Sequence, residues 1–234
     1  MVSSRKLIFI HGWGTTSAVW QKQIDYFSGK YTIEVPDLPF AIKPFTSDHR
    51  LATSDQRPAT ILIGWSYGGM CALRMASQGP DTYKALVLVG TNAVFADEKN
   101  GMPPVVIQKI RRRLERDYKS TMAQCYATFF SQGEAALKEK FIREQVLPPK
   151  TLTLRILDEL MGMDMREVLP VIAIPTLIIH GDKDEVCPLS AGAFLHRGIR
   201  RSRLEVFKGC GHMPFYTRGG EFNTIVDDFI KSIA

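Results

Sequence analysis

The sequence has few cysteines, and they are not arranged as a disulfide or metal framework. Only 4 of its 234 residues are cysteine, and no two of them show the paired spacing of metal ligands. Free thiols in a reducing compartment are the simplest interpretation of this pattern. We therefore predict neither a metal nor a cofactor. The four cysteines are Cys71, Cys125, Cys187 and Cys210.

Long apolar runs are also missing. The longest, at residues 85–89 and 172–179, are shorter than the roughly 20 residues that a membrane-spanning helix needs. The first residues lead directly into a predicted strand and lack the apolar region of a signal peptide. The sequence therefore predicts a cytoplasmic protein without membrane contact.

Neither charge nor composition is typical of a nucleic-acid binder. The formal net charge is +6, and 23% of the residues are charged. This balance favours acidic partners in general, but it is far from the basic density of a dedicated nucleic-acid binder. With 45% hydrophobic residues, the chain can bury one full core. We expect a monomer that does not bind nucleic acid.

Apolar strand patterns alternate with helical patterns in the first and last parts of the chain. Such alternation predicts a parallel sheet that helices cover on both faces. Residues 41–59 form a polar connection rich in Pro, Ser, Thr and Asp, so any crossover helix there must be short. The predicted strands lie within residues 6–10, 31–39, 60–65, 84–89, 173–180 and 203–207.

The strand pattern stops between Ala96 and Leu169. Helical stretches replace it, so we predict an all-α lid inserted into the sheet domain. The predicted domains are a core of residues 1–95 and 170–234 and a lid of residues 96–169. The fold class is α/β: a mostly parallel central sheet flanked by helices, with an inserted all-α lid. The predicted lid helices lie at residues 103–118, 120–131, 134–146 and 150–161.

A Gly-x-Ser-x-Gly motif follows the strand that begins at Thr60. Between a strand and a helix, this motif indicates a nucleophile elbow, in which Ser66 has strained backbone geometry that Gly64 and Gly68 permit. The turn raises the serine hydroxyl above the sheet edge. It also places the Tyr67 amide at a helix N-terminus, where it can stabilise an oxyanion. An ordinary strand-to-helix turn is the alternative, because five residues of pattern are a weak signal.

A second glycine-rich loop, at residues 11–14, follows the first predicted strand. It lacks both the spacing of a dinucleotide fingerprint and the lysine of a phosphate-binding P-loop. We predict instead that the Trp13 amide is the second oxyanion donor, opposite Tyr67. His11 precedes the glycines of this loop and is predicted to form hydrogen bonds within it.

The loops after the last two predicted strands each contain one candidate partner for Ser66. Such loops converge on one crevice at the carboxyl edge of a parallel sheet, so Asp184 and His212 can meet the serine. A neutral imidazole can remove the serine proton while a carboxylate orients the imidazole, which makes His212 the base and Asp184 the orienting acid. Asp182 directly follows its strand and suits a turn bond. The histidines predicted to be structural or solvated are His49, His180 and His196.

Together these motifs resemble the α/β-hydrolase superfamily over nearly the whole chain. More narrowly, Gly-Trp-Gly, Gly-Trp-Ser and His-x-Pro-Phe are similar to segments of the pimeloyl-[acyl-carrier protein] methyl ester esterases of biotin synthesis. The resemblance implies a serine carboxylesterase with a catalytic triad, two oxyanion amides and an acyl channel. By this resemblance the triad is Ser66, Asp184 and His212, and the oxyanion amides are those of Trp13 and Tyr67. The residues that line the acyl channel are Tyr126, Phe129 and Phe130. The chain departs from the family at residues 40–41, where Gly-x-Gly-x-Ser is usual, and in the shortened crossover.

One predicted lid helix carries a one-sided cluster of basic residues. Their three- and four-residue spacings place them on one helix face. A solvated surface, partly neutralised by Glu115 and Asp117, is the plain interpretation. The alternative is a docking surface for an acidic acyl-carrier protein beside the channel mouth. The basic residues are Lys109, Arg112, Arg113, Arg116 and Lys119.

Two further alternatives remain open from the sequence. A generic hydrolase of small esters would carry the same motifs, and a requirement for carrier-bound substrate would separate the two. The lid aromatic residues either grip an alkyl chain or simply form the lid core. A binding protein that keeps a hydrolase fold is disfavoured because all three triad positions are filled.

Overall fold

The computed structural model describes residues 5–38 and 59–233. Its strands are β1 (Lys6–Ile10), β2 (Thr32–Glu34), β3 (Thr60–Trp65), β4 (Tyr83–Val89), β5 (Thr176–Gly181) and β6 (Ser202–Phe207). They form one parallel sheet in the order β2-β1-β3-β4-β5-β6, which confirms the predicted fold class. Three features of the sequence prediction, namely the short crossover, residues 40–41 and His49, fall at residues 39–58, outside the described ranges.

The inner strands are mostly apolar and buried because the sheet is covered on both faces. Every residue of β5 is buried, as are the last five residues of β3. Strand β3 lies between β1 and β4, with Ile63 opposite Phe9 on one side and Val87 on the other. The turn that carries Ser66 therefore leaves the sheet from an inner strand.

The α-helices outside the lid lie on the sheet or on one another. They are α1 (Gln21–Phe27), α2 (Tyr67–Gln78), α7 (Leu189–Gly198), α8 (Pro214–Thr217) and α9 (Gly219–Ser232). Helix α2 lies on β3 and β4, α7 lies on β5 and β6, and α1 contacts α9. Phe9 of β1 packs on α1, because its ring centroid is 6.0 Å from that of Phe27, and on Trp20, just before α1, at 5.2 Å.

Four helices lie between β4 and β5, in the stretch predicted as the lid. They are α3 (Pro104–Arg116), α4 (Tyr118–Ala127), α5 (Ala135–Glu144) and α6 (Lys150–Gly162). Helix α3 packs against α4 and α6, and α4 packs against α5. None of the helices in the described ranges is both long and apolar enough to cross a bilayer. The lid boundaries at residues 96 and 169 stay a prediction.

The first lid helix is shorter than the sequence predicted. Helix α3 ends at Arg116 because Asp117 leaves helical geometry, with φ −138° and ψ 86°. The Asp117 carboxylate instead caps α4 by accepting a hydrogen bond from the Ser120 amide at 3.2 Å. Lys119, which the sequence assigned to the basic face of the first helix, therefore belongs to α4.

The loops after the strands meet at the carboxyl edge of the sheet. The Ser66 amide donates to the Val89 carbonyl at 2.9 Å, which joins the turn after β3 to the end of β4. The Lys183 amide donates to the Cys210 carbonyl at 3.0 Å, which joins the loop after β5 to the loop after β6. This edge therefore gathers the loops that carry the predicted site residues.

Candidate active site

Ser66 occupies a strained turn between β3 and α2. Its φ of 56° and ψ of −120° make it the one non-glycine residue with positive φ among residues 5–38 and 59–233. A Cβ atom at Gly64 would lie 2.4 Å from the Gly68 carbonyl oxygen, and one at Gly68 would lie 2.3 Å from the Ile10 carbonyl oxygen. Only glycine fits these two positions, as the motif predicted.

Two backbone amides predicted as oxyanion donors, those of Tyr67 and Trp13, have no acceptor among residues 5–38 and 59–233. Tyr67 is the first residue of α2, so its N–H has no partner within the helix. Trp13 lines the same cavity as Ser66, and in the described part of the chain its amide donates to no other protein atom. The Trp13 indole anchors the loop by donating to the Thr153 carbonyl at 2.8 Å. The assignment of these two amides as oxyanion donors stays a prediction.

Asp184 and His212 form a buried hydrogen-bonded pair. Nδ1–H of His212 donates to Oδ2 of Asp184 at 2.7 Å, and the two residues are only 1% and 7% exposed. The other carboxylate oxygen accepts the amide hydrogens of Val186 at 2.9 Å and Cys187 at 2.8 Å. Because Nδ1 carries the proton that the carboxylate accepts, Nε2 is left as the basic nitrogen.

The main chain of His212 is held from two sides. Its N–H donates to the Phe129 carbonyl at 2.8 Å, and its carbonyl accepts from the Trp65 indole at 3.0 Å. The rings of Trp65 and Phe129 also pack on the imidazole, with centroids 5.3 and 5.4 Å away. These contacts, together with the bond to Asp184, restrict the direction in which Nε2 points.

A cavity of about 450 Å³ lies between this edge of the sheet and the lid. Ser66 and His212 are both on its wall, with Trp13 and Trp65 beside them. Most of the remaining wall is apolar, which suits an alkyl chain. The apolar residues that the lid helices contribute include Val106, Ile107, Ile110, Leu157 and Leu160, and the polar lining includes Arg113, Gln124 and Glu185.

The three aromatic residues predicted for the acyl channel have different positions. Phe129 lies on the cavity wall, whereas Tyr126 and Phe130 are absent from it. Both pack on Phe141 inside the lid, with ring centroids 5.3 and 5.4 Å away, and the Tyr126 hydroxyl donates to the Gly14 carbonyl. Tyr126 belongs to α4, which ends at Ala127, whereas Phe129 and Phe130 follow the helix, so the three rings do not share one helix face.

The basic cluster is divided between two surfaces. Lys109, Arg112 and Arg116 are exposed on α3 and form no ion pair within the described residues. Arg113 is half-buried, lines the cavity and donates to the Gln124 side chain. Lys119 is exposed on α4. Three of the five predicted docking residues therefore share the outer face of α3.

Two buried histidines have structural partners. Nδ1–H of His11 donates to the Gly12 carbonyl at 2.9 Å, which is the predicted bond within the loop. The Leu38 amide donates to Nε2 of the same ring at 3.1 Å, and burial lowers the pKa of this imidazole. Nε2–H of His180 donates to the Cys187 carbonyl at 2.7 Å and lies 3.5 Å from Oδ2 of Asp184. Burial lowers the pKa of His180 as well, so both rings are neutral near pH 7.

Asp182 and His196 lie outside the buried pair. Oδ1 of Asp182 accepts the Gly209 amide hydrogen at 2.6 Å, so this carboxylate joins two loops and does not contact His212. His196 is exposed and contacts the Ser202 hydroxyl at 2.8 Å. Within the two described ranges, no group of three His, Cys, Asp or Glu side chains is arranged as metal ligands.

Sequence reasoning missed most of the cavity wall. Phe95 and Met102 line it from the segment after β4, and Val186 lines it from the loop that holds Asp184. Irregular segments of this kind have no periodicity from which an inward direction can be inferred. Helix α3 did offer a signal, because Val106 and Ile110 are four residues apart and therefore share a face.

The chain matches known proteins over almost its whole length. Residues 7–225 match the model of a family described as the alpha/beta hydrolase family. A pimeloyl-[acyl-carrier protein] methyl ester esterase from Nitrosomonas europaea is 31% identical over 240 residues, which cover 94% of each chain. Another, from Legionella pneumophila, is 30% identical over 232 residues, which cover 96% of this chain and 95% of that protein.

A solved structure has a similar fold. An esterase from Exiguobacterium antarcticum is similar with a TM-score of 0.82 and 25% sequence identity. The match covers 99% of this chain and 94% of that protein. The similarity therefore includes the helices between β4 and β5 as well as the sheet.

Proposed function

Because the chain belongs to the α/β hydrolase family, we propose that it is a serine carboxylesterase whose substrate is the methyl ester of pimeloyl-[acyl-carrier protein], in biotin synthesis. The observation that carries the chemistry is the 2.7 Å hydrogen bond between Asp184 and His212, on the edge of an apolar cavity that Ser66 also lines. The names of the two relatives support the choice of substrate.

The proposed first step is acyl transfer to Ser66. Nε2 of His212 takes the hydroxyl proton as the serine oxygen bonds to the ester carbonyl carbon. The carbonyl electron pair moves onto oxygen, where the Trp13 and Tyr67 amides stabilise the charge. When the carbonyl re-forms, the C–O bond to the leaving group breaks, and the methoxide takes the proton from His212 and departs as methanol. Asp184 stays ionised and stabilises the imidazolium.

The second step is hydrolysis of the acyl-enzyme. A water molecule gives its proton to Nε2 of His212 and attacks the acyl carbon, again with charge on the oxygen between the two amides. Collapse of this intermediate breaks the bond to Ser66, and the serine oxygen takes the proton back. The products are the free carboxylic acid and the resting enzyme.

The outer face of α3 supports a carrier-bound substrate. Lys109, Arg112 and Arg116 are exposed there, and Val105, which is 66% exposed, lies on the same side of the helix. The neighbouring face of α3 lines the cavity. An acidic carrier docked on these residues would hold its acyl arm next to the cavity mouth, where opposite charges favour encounter.

The remaining proposals concern the location of the protein, its oligomeric state and its need for a cofactor. All four cysteines are free thiols, which is usual for a protein of the reducing cytoplasm. We place the enzyme there, as a monomer that needs no metal or cofactor for the steps above. Gel filtration with light scattering tests the oligomeric state directly.

The nucleophile is tested with Ser66→Ala. We expect kcat to fall by roughly 10⁴-fold or more. The thermal midpoint of unfolding should change little, because the serine hydroxyl forms no hydrogen bond with other residues in the described part of the chain. A fluorophosphonate probe should label the wild type and not the variant. Activity of the variant within about tenfold of wild type, a barrier change of only about 1.4 kcal/mol, would show that another residue is the nucleophile.

The substrate is tested by comparing methyl pimeloyl esters that differ only in the carrier. We expect kcat/KM to be at least about 100-fold higher for the carrier-bound ester than for free monomethyl pimelate, since docking adds binding energy. The second candidate is a carboxylesterase of free small esters, and the similar protein from Exiguobacterium antarcticum is named simply as an esterase. Equal values for the two substrates would support that candidate.

A further inference from the structure

The segment that joins α4 to α5 lies against the loop that carries His212. Three hydrogen bonds connect the two segments. The His212 amide donates to the Phe129 carbonyl at 2.8 Å, the Ser131 hydroxyl donates to the Gly209 carbonyl at 2.8 Å, and the Gly211 amide donates to the Glu134 carboxylate at 3.0 Å. The lid is thus bonded directly to the loop of the proposed base.

Glu134 is the side chain that joins the two segments. Its Oε2 atom accepts the Gly211 amide hydrogen from the histidine loop at 3.0 Å and the Ser131 amide hydrogen from its own segment at 2.8 Å. The second bond belongs to a capping box at the start of the 3₁₀ turn Gln132–Glu134. An ordinary capping glutamate satisfies only its own helix, whereas one oxygen of Glu134 also holds a neighbouring loop.

The close approach of the two segments is an independent sign that their spacing matters. A Cβ atom at Gly211 would lie 2.5 Å from the Phe129 carbonyl oxygen and 2.9 Å from the Ser131 amide nitrogen. The residue next to His212 is therefore glycine because the lid backbone occupies the space of a side chain.

We propose that Glu134 is a positioning residue for His212: through the Gly211 amide it sets the height of the histidine loop, and thereby the direction of Nε2. The proposal rests on the proposed function, in which His212 is the base. Without the carboxylate, the Gly211 N–H has no acceptor, and the loop can shift while Asp184 still holds Nδ1. A displacement of about 1 Å of a catalytic group can lower a rate by roughly 100-fold.

The arrangement also constrains how substrate enters. Opening the lid at the α4–α5 corner would break the bonds to Gly209, Gly211 and His212 together. A path along α3, whose inner face lines the cavity, leaves this corner in place.

The test compares Glu134→Ala with Glu134→Gln, in the full-length protein and with a small neutral methyl ester as substrate. We expect kcat of Glu134→Ala to fall by about 10- to 100-fold with KM within about threefold of wild type. The rate at which a fluorophosphonate labels Ser66 should fall by the same factor, because labelling needs the base and no substrate pocket. In Glu134→Gln the amide oxygen can accept both hydrogen bonds, so kcat should stay within about threefold.

The matched control is Asp117→Ala, which removes another carboxylate cap from the lid. Asp117 accepts a bond from the Ser120 amide of α4 and lies outside the histidine loop. Its loss should lower the thermal midpoint, but kcat should stay within about threefold of wild type. A folded Glu134→Ala with the kcat of the control would overturn the proposal, as would a folded Glu134→Gln that is as slow as Glu134→Ala.

If Glu134→Ala does not fold, a variant with a shorter carboxylate side chain tests the same proposal. Glu134→Asp keeps the charge on a side chain one methylene shorter, which we expect to lose the bond to the Gly211 amide, so its kcat should fall as predicted for alanine, and wild-type kcat in this variant would overturn the proposal. Failure of the proposed function has a different signature. In that case the fluorophosphonate would not label the wild-type protein, or the Ser66→Ala variant would keep its activity. Either result would be independent of the kcat values of the Glu134 variants.

Discussion

At the scale of single residues, two aspartates of the same loop show how position decides chemistry. Asp182 and Asp184 are two residues apart, yet only Asp184 contacts His212. Asp182 accepts the Gly209 amide hydrogen and holds the two loops together. Their proposed roles differ because one carboxylate is buried against an imidazole and the other bridges two backbone segments.

Replacing each aspartate by asparagine separates these roles. In Asp184→Asn we expect kcat to fall by about 10²- to 10⁴-fold, since an amide neither selects the Nδ1–H tautomer nor stabilises the imidazolium. In Asp182→Asn the side-chain oxygen can still accept the Gly209 N–H, so kcat should stay within about threefold. Steady-state kinetics on one small ester measures both. A larger loss in the Asp182 variant would reverse the assignment.

At the scale of elements, α3 presents three different faces to its surroundings. Leu114 is buried in the lid. Val106, Ile107, Ile110 and Arg113 line the cavity, and a further face is exposed and basic. With about 100° between successive residues, a helix can present three faces to three environments. The lid therefore shapes the cavity and offers a charged surface beside it.

Charge reversal on the outer face of α3 tests carrier docking. In Arg112→Glu/Arg116→Glu we expect kcat/KM for the carrier-bound ester to fall by more than about tenfold, while that for a small neutral ester is unchanged. The wild-type value for the carrier-bound ester should also fall as salt rises, because exposed charges are screened over about 10 Å at 0.1 M salt.

A charge-matched control is available at the opposite edge of the sheet. Lys84 is exposed near the start of β4, and Arg200 is exposed just before β6. Lys84→Glu/Arg200→Glu should leave both substrates unaffected. Equal losses on both substrates in the α3 variant would indicate a damaged lid, and a loss in the control variant would indicate an effect of net charge alone.

At the scale of the whole molecule, buried imidazoles link stability to pH. Burial lowers the pKa of His180 below its usual 6.5, although the neighbouring Asp184 acts in the opposite direction, and His212 adds to the lowering. The pKa of His11 is lowered by burial too. Below pH 6.5 the unfolded chain therefore binds protons that the folded protein does not, so stability is lost as the pH falls toward the lowered pKa values.

Replacing His180 should reduce this dependence. For wild type we expect the free energy of unfolding to fall as pH decreases from 7 through 6.5, with each such histidine contributing at most about 1.4 kcal/mol per pH unit. His180→Gln, which keeps a donor for the Cys187 carbonyl, should show a smaller slope in urea unfolding between pH 7 and 5. His196→Gln, at an exposed position, is the control and should keep the wild-type slope. An unchanged slope in His180→Gln would contradict the prediction.

Local features of this protein could be inferred from the sequence because they depend on neighbouring residues. The strand Lys6–Ile10 has the predicted bounds, and the strained turn at Ser66 follows from the two glycines that flank it. The order of alternating elements likewise predicted a parallel sheet, since parallel strands need covered faces. Helix ends were less accurate, as Asp117 shows, because a cap depends on which backbone amide a side chain reaches.

Only the tertiary structure decided which residues of distant segments meet. Glu134 and Gly211 are far apart in the chain, and nothing in either segment indicates that one oxygen of the first accepts the amide of the second. The same holds for Phe129, which lines the cavity while Phe130 packs on Phe141. Periodicity determines which residues share a face of one element, whereas packing between elements determines what that face contacts. The sequence by itself therefore determined the turns, the strands and the candidate triad residues, and the fold decided which lid residues contact them.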